Sequence, residues 1–208
     1  MIIIIDYDTG NTRNVQKALE FVGLENKISA DPAEIRKADG LILPGVGAFS
    51  VAMKELEQRG LVSVIQETAQ KGTPILGVCL GMQLLLEGSM ENGFTEGLGL
   101  IEGLCEKLPD DPDLPVPHMG WNQLVVTEET SLTKDVSKEY VYFVHSYYAD
   151  CEPDVIDAIA QYSIKIPAMI SKGTIYGTQF HPEKSSEAGL RILKGFKEVV
   201  EHVRFTSN

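Results

Sequence analysis

Apolar and polar positions follow two different periods along this chain, and the first half keeps a steady rhythm between them. Ile2-Ile3-Ile4-Ile5 is an unbroken β-branched run closed by Asp6. A short run with no polar position has no solvent-facing side, so it predicts a strand buried on both faces, as in a parallel sheet. From Asn11 the period lengthens. Val15, Ala18, Leu19 and Val22 recur at helical spacing, and Gly23 ends the segment. A short strand is expected over residues 27–30. A buried one is expected over 40–44, running into the glycine-rich turn Pro44-Gly45-Val46-Gly47-Ala48-Phe49. Residues 50–70 read as helix in two pieces broken near Gly60, with Leu61, Val64, Ile65 and Ala69 on the inner face of the second. Residues 74–78 read as a strand and 80–86 as the helix after it. Strand and helix in alternation predict a mostly parallel sheet with right-handed crossovers.

The second half changes character. Residues 121–126, 140–144, 155–162, 168–171 and 174–180 all carry strand patterns, and strands in succession predict antiparallel additions to one side of the sheet. Between them, residues 109–117 hold four prolines and three aspartates and read as an exposed loop. Leu190, Leu193, Phe196, Val200 and Val203 form the buried stripe of a closing helix over 186–203. No repeat, low-complexity tract or linker interrupts the 208 residues, so one α/β domain over 1–208 is expected.

Composition narrows the function classes. Net charge is −12 and no Lys/Arg run is present, which disfavours nucleic acid as a partner. The opening apolar run is far too short for a signal peptide or membrane span. Cys79, Cys105 and Cys151 are odd in number and far apart, which suits a reducing compartment better than a disulfide framework, and a cytoplasmic chain is expected. No Cys or His pair has zinc-ligand spacing, so no metal site is expected.

Chemistry concentrates in Gly77-Val78-Cys79-Leu80-Gly81, a G-x-C-x-G segment where a buried strand meets a helix. The same layout with serine forms the nucleophile elbow of α/β hydrolases. A residue at such a tip is strained, and its neighbours must be small for the backbones to pass. A helix N-terminus stabilises negative charge, which favours a thiolate, and the Leu80 N–H points to where an oxyanion would form. Taken alone, the segment fits equally well a buried cysteine packed as a small hydrophobe. His181 follows the last strand in Gly177-Thr-Gln-Phe-His181-Pro182-Glu183. A thiol nucleophile needs a base that later protonates the leaving amine, and that base needs an orienter, which Glu183 can be. His118 in the proline-rich loop reads as structural or interfacial. His145 ends an apolar strand and can line the same cleft; His202 suits the end of the last helix, without function. Cys105 and Cys151 read as inert.

With these residues in hand the chain resembles the class I glutamine amidotransferases, on Gly77-Val-Cys-Leu-Gly-Met-Gln83 and Gln179-Phe-His-Pro-Glu-Lys-Ser185. That pair leaves the anthranilate, carbamoyl phosphate, guanylate and cytidylate synthase branches open. Pro44-Gly-Val-Gly-Ala-Phe49, Pro117-His-Met-Gly-Trp-Asn122, Tyr142-Phe-Val-His-Ser-Tyr147 and Asp6-Tyr-Asp-Thr-Gly-Asn11 look like the glutaminase-subunit family of imidazole glycerol phosphate synthases. The likeness covers essentially the whole chain. It departs from the family where Asp8 replaces a glycine and Asn14 stands near a serine position.

The resemblance implies a three-layer amidotransferase fold with antiparallel strands added to a mostly parallel sheet. It also implies hydrolysis of L-glutamine by Cys79, His181 and Glu183 without a cofactor. Leu80, Val46 and Gly47 would form the oxyanion hole, and Gly45, Gln83, His145 and Ser146 would hold glutamine. Asn11, Met119, Trp121 and Lys184 would face a (β/α)8-barrel cyclase subunit that takes the ammonia. A subunit feeding another synthase, a partner-independent cysteine hydrolase and a non-enzymatic binding module are the competing readings.

Overall fold

The computed structural model of the chain describes residues 1–8 and 11–206. In chain order the elements are β1 (Ile2–Ile5), α1 (Thr12–Phe21), β2 (Asn26–Ser29), α2 (Pro32–Arg36), β3 (Gly40–Leu43), α3 (Phe49–Gln58), α4 (Leu61–Gln70), β4 (Ile75–Val78), α5 (Leu80–Leu84), β5 (Gly88–Ser89), β6 (Thr95–Glu96), β7 (Leu104–Lys107), β8 (His118–Val126), β9 (Tyr140–His145), β10 (Tyr147–Asp150), β11 (Ile156–Gln161), β12 (Lys165–Lys172), β13 (Ile175–Thr178) and α6 (Ser186–Thr206). Thr9 and Gly10 of the Asp6–Asn11 motif lie outside the described residues.

Among the described residues, nine strands form one sheet in the order β2-β1-β3-β4-β13-β12-β11-β8-β9. From β2 to β13 every neighbour is parallel; from β13 to β9 every neighbour is antiparallel. A smaller sheet, β10-β7-β5-β6, lies beside it. The four isoleucines of β1 show why the parallel half forms. Ile2 and Ile4 enter one core with Val15 and Leu19 of α1 and Ile192 and Phe196 of α6. Ile3 and Ile5 enter the other with Leu56 of α3 and Leu61 and Ile65 of α4. Each side of the strand has its own helical layer, so no polar position is tolerated.

The predicted break near Gly60 is real: Gly60 takes φ 66 between α3 and α4. Several boundaries move. β8 starts at His118, so that residue belongs to a strand and not to the proline-rich loop. Tertiary pairing with β9, where His118 sits opposite His145, extends the strand beyond its apolar pattern. β12 is longer than its expected 168–171 because it runs through Pro167, paired with Ile159 beside a register shift in β11. The whole small sheet was unanticipated, since β5 and β6 are two residues each and carry no period. No helix among the described residues is long and apolar enough to cross a membrane.

Candidate active site

Cys79 stands between the end of β4 and the start of α5 with φ 55 and ψ −111. A β-substituted residue rarely adopts positive φ, so the surroundings must hold it there. Its N–H donates to the Thr178 carbonyl at 2.7 Å, tying the elbow to the neighbouring strand. The glycines on either side are sterically required. A Cβ on Gly77 would lie 2.6 Å from the Gly81 carbonyl oxygen, and one on Gly81 would lie 1.7 Å from the Leu43 oxygen. β3, β4 and α5 therefore approach at distances only glycine permits. The Cys79 Sγ is 3.9 Å from both the Gln179 Nε2 and the Val144 carbonyl oxygen.

His181 leaves the end of β13 and is fixed through its backbone. Its N–H donates to the Tyr142 carbonyl at 3.0 Å, and its carbonyl accepts from Ser185 Oγ at 2.6 Å. Ser185 Oγ in turn accepts the Tyr142 N–H at 3.0 Å. The ring Nδ1 lies 2.7 Å from Glu183 Oε1, with both side chains only 1% exposed. A carboxylate can only accept, so Nδ1 carries a proton. Nε2 is buried without a hydrogen-bond partner among the described residues. Burial pulls the His181 pKa down, but the Cys79 thiol and the Glu183 carboxylate outweigh it and push the value up to about 9. Asn11 Nδ2 also donates to Glu183 Oε1, and Asn14 Nδ2 donates to Asn11 Oδ1 at 2.8 Å.

A cleft of about 440 Å³ opens over Cys79 and is lined by Val46, Gly47, Leu80, Gln83, Glu91, Pro117, residues 144–147 and His181. Most of the sequence-predicted site residues thus meet in one place. Gly45 is outside the lining: it packs beneath, where a Cβ would strike the Tyr7 hydroxyl at 2.6 Å. Gln83 donates to the Tyr147 carbonyl at 3.0 Å and to Gln179 Oε1 at 3.1 Å, which uses both of its N–H bonds. Glu91 was missed in the sequence. It sits just after a two-residue strand with no motif around it, and its carboxylate accepts the Phe49 N–H at 2.8 Å on the cleft wall.

The remaining candidates divide. Met119 and Trp121 are 62% and 53% exposed on one face of β8, Lys184 is exposed, and Asn11 is half-buried beside Glu183. Asp8 holds φ 64, the conformation a glycine would take, and its carboxylate accepts from Arg59 at 2.6 Å. Burial pushes the Cys105 and Cys151 thiols up to about 12. Among the described residues no three His, Cys, Asp or Glu side chains gather as a metal site.

The class-I glutamine amidotransferase family model matches residues 3–199. The chain is 65% identical over 199 residues to imidazole glycerol phosphate synthase subunit HisH of Listeria monocytogenes, covering 96% of each protein. It is 58% identical over 200 residues to the subunit of the same name from Streptococcus sanguinis, covering 96% of this chain and 97% of that one. A crystal structure described as a glutamine amidotransferase superposes with a TM-score of 0.76 at 18% identity, over 97% of this chain and all of the other, a likeness of fold. PurLQS from Thermotoga maritima superposes with a TM-score of 0.72 at 20% identity, over 97% and 98% of the two chains. On its sequence and its fold, the chain belongs to the class I glutamine amidotransferases, within the family of imidazole glycerol phosphate synthase subunit HisH.

Proposed function

We propose that this chain is the glutaminase subunit of an imidazole glycerol phosphate synthase. It hydrolyses L-glutamine to glutamate and ammonia and passes the ammonia to a (β/α)8-barrel cyclase subunit, which forms imidazole glycerol phosphate and releases aminoimidazole carboxamide ribotide. The reading rests above all on one observation: the strained Cys79 elbow lies in the same cleft as the buried His181–Glu183 pair.

The Cys79 thiolate attacks the side-chain amide carbon of glutamine. The oxyanion is held by the Leu80 N–H and by a peptide N–H of Val46 or Gly47, each donor contributing about 10²–10³ in rate. With its pKa raised to about 9, His181 already carries the proton that the departing amine needs at neutral pH. Ammonia leaves, and the γ-glutamyl thioester remains on Cys79. His181, now neutral, takes a proton from water, whose oxygen attacks the thioester and releases glutamate. Glu183 keeps the imidazole oriented throughout. Gln83 has spent both N–H groups, so its amide oxygen is the group left to accept from the substrate ammonium, a task the Glu91 carboxylate shares; His145 and Ser146 form the facing wall. Residues 1–208 act as one domain in the cytoplasm, without metal or cofactor. Met119 and Trp121, with Lys184 and Asn11, form the surface for the cyclase.

An electrophilic glutamine analogue, a γ-halomethyl ketone, tests the nucleophile in the complex with the cyclase. Mass spectrometry is expected to find one adduct, on Cys79, suppressed by excess glutamine and absent in Cys79→Ser. Labelling at Cys105 or Cys151, or labelling that glutamine does not suppress, would overturn the assignment.

A further inference from the structure

β8 and β9 pair with His118 opposite His145, and His118 Nδ1 lies 3.0 Å from His145 Nε2. His145 Nδ1 is 2.8 Å from the Tyr147 carbonyl oxygen. A carbonyl only accepts, so His145 holds its proton on Nδ1. Burial keeps both rings neutral, pulling His145 down to about 3 and His118 to about 4. A neutral His145 with Nδ1–H presents a lone pair at Nε2, so His118 must donate to it from its own Nδ1. His118 Nε2 is then the acceptor, and Asn122 Nδ2 faces it at 3.3 Å while also donating to the Gln161 carbonyl at 2.9 Å. Each assignment forces the next, giving a chain with one direction: Asn122 to His118 to His145 to the Tyr147 carbonyl. That carbonyl also accepts from Gln83, and Gln83 reaches Gln179, whose amide faces the Cys79 sulfur.

We propose that His118 is a positioning residue: its Nδ1–H locks His145 in the Nδ1–H tautomer and thereby fixes the cleft wall of residues 144–147 and Gln83. His118 does not touch the cleft, whereas His145 and Gln83 line it. Its ring is itself held rigidly, stacked between Tyr162 at 4.1 Å and Phe143 at 4.6 Å. In water the neutral histidine ring prefers the Nε2–H form, so two adjacent buried rings in the opposite form are a signature of the chain. The proposal rests on the glutaminase reading for its kinetic consequence, and on the hydrogen-bond geometry and burial of the two rings for its tautomers.

Long-range proton–nitrogen spectra of the nitrogen-labelled full-length chain at neutral pH test the tautomers. His118 and His145 are expected neutral with the proton on Nδ1; a proton on His145 Nε2 would overturn the proposal. Glutamine kinetics in the cyclase complex supply the second arm. His118→Phe keeps the aromatic stack and deletes the donor. It is expected to raise KM for glutamine about tenfold, the scale of one buried hydrogen bond, with kcat within about threefold, and to release His145 from its single tautomer. His118→Asn, whose amide N–H can stand where Nδ1–H stood, is expected to restore both. An unchanged KM in His118→Phe, or a His118→Asn as impaired as the phenylalanine variant, would contradict the positioning role. The spectrum needs no turnover, so it decides the chain of hydrogen bonds even where wild-type protein turns over no glutamine, a result that would instead overturn the glutaminase reading.

Discussion

Among single residues, the proposed chemistry turns on the proton of His181. Two acids flank its ring, the Cys79 thiol and the Glu183 carboxylate, and together they hold the folded pKa near 9, above the ordinary imidazole value of 6.5. The imidazolium form is therefore present through neutral pH and is lost as pH rises through about 9. Activity that needs this proton for the leaving amine is expected to decline on the same alkaline limb. Glu183→Gln removes a stabilising negative charge, so the limb should move to lower pH in a profile of kcat/KM; an unmoved limb would refute the assigned role. The sequence exposed Cys79, His181 and Glu183 because each sits in a segment whose neighbours are constrained. Gly77 and Gly81 are unavoidable at the elbow, since a Cβ at either would collide with backbone. Glu91 carried no such trace. Its carboxylate belongs to the cleft only because α3 begins nearby and offers the Phe49 N–H. His118 and His145 likewise become partners through strand register, a long-range fact that spacing along the chain cannot display.

At the scale of elements, the turn over residues 44–49 is pinned at its ends and free in its middle. The Tyr7 hydroxyl donates to the Pro44 carbonyl, and Glu91 holds the Phe49 N–H. Between them Val46 is 43% exposed, and Gly47 has φ 100 with no atom of the other described residues, its chain neighbours aside, within 4 Å of where its Cβ would be. Room is thus available for an alanine, but the dihedral is not. Gly47→Ala narrows the conformations through which this backbone can turn an N–H toward the oxyanion. Partner-stimulated turnover is expected to fall by at least about tenfold, with the melting temperature within a few degrees of wild type. Unchanged stimulated kinetics would remove the turn from the mechanism. The helices α1, α4 and α6 were legible because each spans enough turns for a period to show, and β1 because its β-branched run is unbroken; all four stand close to where the pattern puts them. The five-residue α2 and the two-residue β5 and β6 are too short for any period to emerge, and packing against larger neighbours creates them.

At the scale of the molecule, one sheet gathers a site whose parts are far apart in sequence. β4 delivers Cys79, the adjacent parallel strand β13 delivers the segment leading to His181 and Glu183, and β9 brings His145 and Ser146 from the antiparallel half. Cys79 and His181 follow the ends of the parallel strands β4 and β13, where open α/β sheets bind their ligands. β8 then carries two messages at once: Met119 and Trp121 point outward as an exposed apolar face, while His118 and Asn122 point into the hydrogen-bond chain that ends at the cleft. The proposed partner surface draws on that exposed face. The family resemblance, carried by motifs spread along the whole chain, spoke for a cyclase partner at the sequence level. The contact of Asn11 with Glu183 was not legible there, because the two are 172 residues apart and meet only in the folded chain.

Glutamate release from glutamine by the purified chain decides the assignment, measured first alone and then with a histidine-pathway cyclase subunit and its nucleotide substrate, with Cys79→Ala as the control. Feeble turnover alone, a rise of orders of magnitude in the liganded complex, and none from the alanine variant under either condition are expected. Rapid turnover by the chain alone, indifferent to the cyclase, would overturn the synthase assignment.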